Sequence, residues 1–225
     1  MTLETEGGVM PPTPASPALW DPLVRLTHWG VAIAVIANGL IDRPGSVTHV
    51  WVGWVLMALL LTRLLWGLIG PAEARFSAFR PDPVGAIRHM GHLGRALTGR
   101  GSVPEHRSHN PAGAMMVYAL WALIAITCAT GLIMTKGATP MQVAAEKAAV
   151  ASGDWSTLAA QSDAGDDGAE AEGDGNIVQE VHDVAANLIL ILALVHVGGV
   201  VLESRALGRN LVRPMLTGDR TRRGS

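Results

Sequence analysis

Charged residues and cysteine are both scarce in this sequence, and each scarcity excludes a class of protein. Asp, Glu, Lys and Arg together make up 16% of the 225 residues, whereas 49% are hydrophobic. The length alone would suit one or two soluble domains, but the apolar residues are concentrated in four long runs, which argues against a soluble protein. The single cysteine, Cys128, lies within one of these runs, so disulfides and thiolate-rich metal sites are excluded.

The first eighteen residues also lack the apolar segment of a cleavable signal peptide. They are rich in proline and carry Glu4 and Glu6, a composition typical of disorder. We therefore predict a disordered N-terminal tail at residues 1–18, a four-helix membrane domain at 19–218 and a basic C-terminal tail at 219–225.

Four apolar runs are long enough to cross a bilayer as helices, because its hydrocarbon core of about 30 Å requires roughly 20 residues. Turn signals separate the first three: Asp42 to Gly45, Gly70-Pro71, and Asn110-Pro111. The polar faces that soluble helices carry at 3.6-residue spacing are mostly missing. The sequence therefore predicts an all-α, integral membrane four-helix bundle with spans at about 22–41, 49–69, 110–134 and 177–202.

The charges of the connecting loops predict how the bundle lies in the membrane. Basic residues stay on the cytoplasmic side, and they dominate the loop between spans two and three (Arg75, Arg80, Arg88, Arg95, Arg100, Arg107) and the segment after span four (Arg205, Arg209, Arg213, Arg220, Arg222, Arg223). The loop between spans three and four, residues 137–176, is acidic. We therefore expect both termini in the cytoplasm and the acidic loop in the periplasm.

Four of the eight histidines lie within the spans or at their ends, where an ionisable side chain is costly and usually functional. His182 and His196 are fourteen residues apart, so they share a face of span four and are separated by roughly 21 Å along its axis. The chain direction places His28 at the depth of His196, near the inner boundary, and His49 at the depth of His182. The other four are expected to be solvated side chains on the inner side: His89, His92, His106 and His109. Of these, His109 begins span three and has no partner at its depth.

Two histidine pairs at two depths are what two bis-histidine haems require, because each iron takes one imidazole on either side of the porphyrin. Zinc fits less well, since it needs three or four clustered ligands. A proton relay would normally include buried carboxylates, and within the predicted spans there are only Glu180 and Asp183, both next to the outer boundary. Packing of hydrogen-bonded histidines is the remaining alternative, and the matched depths disfavour it.

Two arginines fall on the inner half of the bundle, where haem propionates are expected. A guanidinium suits a carboxylate, so Arg25 and Arg63 are candidate cofactor-binding residues. Positive-inside anchoring with the charged group at the surface is the alternative, and it suits Arg63 less because that residue lies well within an apolar run.

Glycines on the histidine-bearing faces are expected to make room for the same cofactors. Gly53 follows His49 by four residues and Gly199 follows His196 by three, so each lies on the face of its histidine. Further space is expected in spans one and three from Gly30, Gly113 and Gly131. Close helix packing, which also favours glycine in membranes, is the alternative.

Several segments resemble the bacterial cytochrome b561 and nickel–iron hydrogenase b-type cytochrome family. These are WDPLVRLTHW at Trp20–Trp29, RLLWGLIGP at Arg63–Pro71 followed by Ala74-Arg75-Phe76, HNPAGA at His109–Ala114, the Asn187–Leu190 segment between His182 and His196, and NLVRPMLTG at Asn210–Gly218. The resemblance covers roughly residues 19–136 and 177–218.

The resemblance implies a four-helix membrane bundle with two b haems, ligated by His49 with His182 and by His28 with His196. It further implies a multi-pass protein of the bacterial inner membrane that passes electrons between a periplasmic redox partner and the quinone pool. The expected partners are therefore membrane lipid, quinone and a periplasmic redox protein, either a c-type cytochrome or a dehydrogenase, and no nucleic acid.

The acidic insertion at residues 137–176 departs from the family pattern. Its first part, Met141 to Ala151, is compatible with a short amphipathic helix, and Asp163 to Asp174 has the composition of disorder. A solvated spacer is the simpler interpretation. The functional alternative is an electrostatic docking site for a basic partner such as a c-type cytochrome.

Three other functions remain open at this point. A superoxide:quinone oxidoreductase is disfavoured by the acidic loop, which would repel an anionic substrate. A membrane anchor subunit of a hydrogenase or other periplasmic dehydrogenase would require a large partner. A membrane protein without haem, such as a transporter or scaffold, would leave the four histidines without a cofactor.

Overall fold

The computed structural model describes residues 21–104, 110–153 and 172–218, and all regular structure within these ranges is helical. The predicted all-α fold is confirmed. The α-helices of the described ranges are α1 Pro22–Ile36, α2 Val47–Ile69, α3 Pro83–Leu97, α4 Pro111–Met134, α5 Pro140–Ser152, α6 Glu172–Leu207 and α7 Arg213–Thr217. The predicted tails, the central part of the acidic insertion, His106 and His109 lie outside the described residues.

Four of these helices are long and apolar enough to cross a membrane, as predicted. They are Pro22–Ile41, in which a π-helical turn at Ala37–Ile41 continues α1, then Val47–Ile69 (α2), Pro111–Met134 (α4) and Gly175–Leu207 within α6. We call the end of the bundle where α2 ends and α4 begins the basic side, and the opposite end the acidic side. Which side faces the cytoplasm stays a prediction.

Side-chain caps determine where three of the spans begin. The carboxylate of Asp21 accepts hydrogen bonds from the Leu23 and Val24 amides at the start of α1. The Ser46 hydroxyl accepts from the His49 amide, so α2 begins at Val47, slightly before the predicted boundary. Asn110 caps α4 through the Gly113 amide. Such caps each contribute about 1 kcal/mol to helix stability, and here they set the depth at which each span starts.

The helix α6 is longer than the predicted fourth span of residues 177–202. Its 36 residues correspond to a length of about 54 Å, well beyond the bilayer core of about 30 Å. Hydropathy detects only the apolar part of a helix. The main-chain hydrogen bonds continue through polar residues at both ends, including Glu203 and Arg205 on the basic side.

The spans share a core layer near mid-depth, built from Ala34, Leu56, Leu60, Ile124 and Ile189. Around this layer, α1 packs against α2, α2 against α4, and α4 extensively against α6, whereas α6 approaches α1 and α2 only slightly. Outward-facing apolar side chains are widely exposed, as expected of lipid-facing positions. The bundle is therefore closed on the α4 side and looser where α6 faces α1 and α2.

The acidic insertion begins with the predicted short helix, which is present as α5. Thr139 and Gln142 form a reciprocal capping box at its start. The helix packs against α2, and the Lys147 ammonium donates to the Gly45 carbonyl at 2.6 Å. The start of the insertion is therefore folded onto the acidic side of the bundle, close to the turn that precedes α2.

An aromatic cluster closes the basic side between α2 and α4. It comprises Phe76, Phe79, Tyr118 and Trp121, with ring centroids 5.5 to 6.3 Å apart. The sequence contains only two phenylalanines and one tyrosine, so the cluster collects all of them. The far end of the Phe76 ring lies against α2 at Gly67, where an added side chain would meet it.

We predict that Gly67→Ala destabilises the protein by about 1–3 kcal/mol, because the added methyl group overpacks a ring that Phe79 and Trp121 hold in place. The measurement is thermal unfolding of the purified protein in detergent. Gly94→Ala on α3 is the matched control, since its methyl group meets nothing within 4 Å and should be neutral or stabilising. Equal thermal-unfolding midpoints for Gly67→Ala and Gly94→Ala would contradict the prediction.

Candidate functional site

The four span histidines lie together as two facing pairs. On the basic side, His28 of α1 faces His196 of α6 with ring centroids 6.2 Å apart and ring planes inclined by 57°. On the acidic side, His49 of α2 faces His182 of α6 at 6.3 Å and the same inclination. We call these the basic-side pair and the acidic-side pair. They are the combinations that the depths in the sequence predict.

A seven-residue repeat explains how the two pairs reach the same interior. On α6, His182, Ile189 and His196 follow one another at intervals of seven residues, which is about 20° short of two full turns each time. The middle residue, Ile189, is buried in the core layer. The two histidines are therefore on one inward face, about 21 Å apart along the helix, above and below the apolar layer.

The separation of the rings in each pair suits one metal ion between them. A ligating imidazole nitrogen lies about 2 Å from a transition metal and about 1 Å from its own ring centre, so two imidazoles on opposite sides have centres about 6 Å apart. Within the described ranges, no group of three or more His, Cys, Asp or Glu residues could hold a metal. Each pair therefore suits a metal whose remaining ligands come from a cofactor.

Glycines leave open space beside each histidine pair. A Cβ atom added at Gly53, near His49, or at Gly199, near His196, would meet nothing within 4 Å. Together with the slight contact of α6 with α1 and α2, this leaves space for a planar macrocycle beside the imidazoles. The expectation of open space was wrong for Gly30, because the Leu59 side chain fills that position. At Gly131 an added Cβ atom would lie 3.4 Å from the His182 ring, an ordinary van der Waals contact.

One imidazole has a side-chain partner that the sequence did not reveal. The Thr130 hydroxyl of α4 lies 2.9 Å from His182 Nδ1, and it also donates to the Ile126 carbonyl at 2.8 Å. Because the hydroxyl proton is used on the carbonyl, its oxygen can accept from Nδ1–H, and in that tautomer Nε2 is free to bind a metal. Among the span histidines, His182 alone has a ring hydrogen bond within the described residues.

The main chain at His49 is held by the π-helical turn at the end of α1. Asn38 lies in that turn, and its amide donates to the His49 carbonyl at 3.0 Å. The Nδ1 atoms of His28 and His49 are buried and have no hydrogen-bond partner within the described part of the chain. The two pairs therefore differ in the polar groups around their rings.

Arg63 is almost completely buried, with 6% of its surface exposed. It follows His49 by fourteen residues on α2, so it faces inward near the depth of the basic-side pair. Nη2 donates to the Ala74 carbonyl at 3.2 Å, and the guanidinium lies 5.0 Å from the Trp121 ring centroid. Nη1 is buried without a partner in the described residues, which makes it a candidate donor to an anionic group.

Arg25 lies three residues before His28, against Gly218 at the end of α7. Its Nε is buried without a partner among the described residues. The neighbouring Trp29 indole donates to the Met215 carbonyl at 3.2 Å. The segment after α6 is therefore folded back onto the first turns of α1, and Arg25 is placed between this segment and the basic-side pair.

The expectation that His89 is solvated was wrong. Its side chain lies on α3, within the loop between spans two and three, and only 4% of it is exposed. Nε2 lies 3.5 Å from Glu203 Oε1, and Asn110 donates to Glu203 Oε2 at 2.6 Å. Glu203 follows His196 by seven residues, so the same repeat that orients the histidines could have indicated it. By contrast, His92 is only partly buried.

These features define a multi-pass membrane protein with a two-imidazole site near each end of its helical bundle. A family model for prokaryotic cytochrome b561 matches residues 19–218, and the chain belongs to this family. The protein is therefore a membrane b-type cytochrome that binds haem and acts in electron transfer. Neither the curated proteins nor the solved structures include a significant match to the chain.

Proposed function

We propose that each histidine pair holds one haem b and that the protein transfers electrons between a periplasmic redox partner and the quinone pool of the bacterial inner membrane. The observation that carries the proposal is the pair of ring separations, 6.2 and 6.3 Å, at two depths of one bundle. His28 and His196 are the proposed ligands on the basic side, and His49 and His182 those on the acidic side.

Haem b supplies reversible one-electron chemistry of its iron when it is bound. The residues of the chain hold it, orient it and exclude water. His28 and His196 would hold one haem and His49 and His182 the other, and the core layer of Leu56, Ile124 and Ile189 lies between the two pairs. Arg63 Nη1, which has no partner among the described residues and lies in a low-dielectric setting, is the proposed donor to a propionate of the basic-side haem, and Arg25 is the second candidate.

The difference in charge between the two sides of the bundle supports a periplasmic redox protein as the partner. The basic side carries the arginines expected in the cytoplasm, so the acidic-side pair is the proposed periplasmic site. Glu180 and Asp183 lie close to His182 on α6, and the insertion adds further carboxylates. This charge favours a cationic redox protein over an anionic small molecule such as superoxide.

The direct test is the spectrum and reactivity of the purified protein. We expect b-type bands in the reduced-minus-oxidised difference spectrum, a haem content equal to two per chain, and reduction by a quinol analogue in stopped flow. Reduction by superoxide and not by quinol would favour the alternative oxidoreductase. A protein without b-type bands, or with one haem per chain, would sink the proposal.

Alanine substitutions test the pairing itself. We expect His28→Ala and His196→Ala each to halve the haem content, because each removes one of the two residues that would hold the same haem. The double variant of His28 and His196 should lose no more haem than either single variant. The double variant of His28 and His49 should lose nearly all haem. Haem is measured as the pyridine haemochrome per chain.

The matched control for these variants is His92→Ala, which changes a histidine outside the spans and should retain full haem content. Additive loss in the double variant of His28 and His196 would mean that the two side chains do not share a cofactor.

Thr130 should tune one haem and leave the other unchanged. A hydrogen bond from Nδ1–H makes the imidazole a stronger donor and favours oxidised iron, so Thr130→Val should raise one of the two midpoint potentials. If the hydrogen bond contributes about 1 kcal/mol, the midpoint potential of this one-electron couple should shift by at most about 40 mV. Redox titration followed by absorbance measures both potentials.

Two variants separate this effect from simple repacking. Thr130→Ser keeps the hydroxyl and should restore the original potential. Thr127→Val removes a hydroxyl that bonds the Leu123 carbonyl on the same helix and should leave both potentials unchanged. Equal shifts from Thr127→Val and Thr130→Val would count against a role for the Thr130–His182 bond.

A further inference from the structure

The helix α3 lies across the basic end of the bundle, at the level where two spans have their polar ends. His89 of α3 lies against Glu203, and Asn110, the cap of α4, donates to the same carboxylate. Leu93, one turn further along α3, is buried as well. The helix is therefore anchored to α4 and α6 where the apolar part of the bundle gives way to polar residues.

At about 100° per residue, the side chains of α3 divide into three sectors. The first sector, with His89 and Leu93, faces the bundle. The second, with Arg88, His92 and Arg95, is polar. The third carries the exposed apolar side chains Val84, Ile87, Met90 and Leu97, and Ile87 is 75% exposed.

Other apolar residues on the basic side of the bundle are also exposed. On the same side of the bundle, α1 and α2 also carry widely exposed apolar residues, including Leu26 on α1 and Leu68 and Ile69 on α2. In a membrane-spanning chain such residues face lipid. Arginines on the polar sector suit the phosphates of lipid headgroups, as in helices that lie in a membrane interface.

We propose that α3 lies in the lipid interface on the basic side, with Val84, Ile87, Met90 and Leu97 inserted among the acyl chains and Arg88 and Arg95 at the headgroups. The occupant of the exposed apolar sector is the bilayer. The helix then covers the basic end of α4 and α6. Its inward sector is held by the contact of His89 with Glu203, and its apolar sector by the lipid. This inference rests on the membrane location of the chain and is independent of haem ligation.

The test measures the depth of two neighbouring positions on α3. Single cysteines are introduced as Ile87→Cys and Arg88→Cys in a Cys128→Ala background, which removes the only native thiol. Both positions are exposed, so neither change disturbs packing of the bundle. Each full-length protein is labelled with bimane and placed in nanodiscs of phosphatidylglycerol and phosphatidylcholine, with or without bromine on the acyl chains.

We expect brominated lipid to quench the label at position 87 several-fold more than the label at 88, and aqueous iodide to show the reverse order. Equal quenching at the two positions, or stronger lipid quenching at 88, would overturn the proposal. A label at 87 that is shielded from both quenchers would also overturn it, because the apolar sector would then be covered by protein. Retention of the b-type spectrum in both labelled proteins shows that they are folded.

Discussion

The placement of four imidazoles inside a membrane bundle is the constraint on which the rest of this fold depends. Imidazole nitrogens cost free energy in hydrocarbon unless they are hydrogen-bonded or bound to a metal, so the helices that carry them must turn them inward and bring them together. The seven-residue repeat on α6 does this twice on one face, and α1 and α2 each supply one opposing ring.

This constraint also explains the uneven packing of the bundle. The helix α6 is held firmly by α4 and approaches α1 and α2 only slightly, so the helices that present facing histidines are the ones kept apart. The helix α4 carries no described histidine but supports α6 at three depths: Asn110 at Glu203, Ile124 in the core layer, and Thr130 at His182. The helix α4 therefore positions α6 and, with it, the rings of His182 and His196.

The basic end is organised around two polar groups, one buried and one partly buried, that are stabilised in different ways. Arg63 is satisfied partly by the Ala74 carbonyl and the Trp121 ring, inside the aromatic cluster that the connection after α2 contributes. Glu203 is held between Asn110 and His89, which ties α3 to the bundle. The segment between spans two and three is therefore a structured cover for this end, and its described arginines, Arg75, Arg80, Arg88, Arg95 and Arg100, are exposed.

By itself, the sequence determined the four spans, the two histidine depths and the resemblance to the family, because hydropathy, helical period and motif spacing are local properties of the chain. It did not reveal the full length of α6, since a helix continues through polar residues that hydropathy scores as loop. Only the tertiary structure decided that His89 is buried against Glu203, that Thr130 reaches His182, and that Leu59 fills the space beside Gly30. Each of these contacts joins side chains from different helices, and their partners are chosen by the packing of the bundle, which no single stretch of sequence encodes.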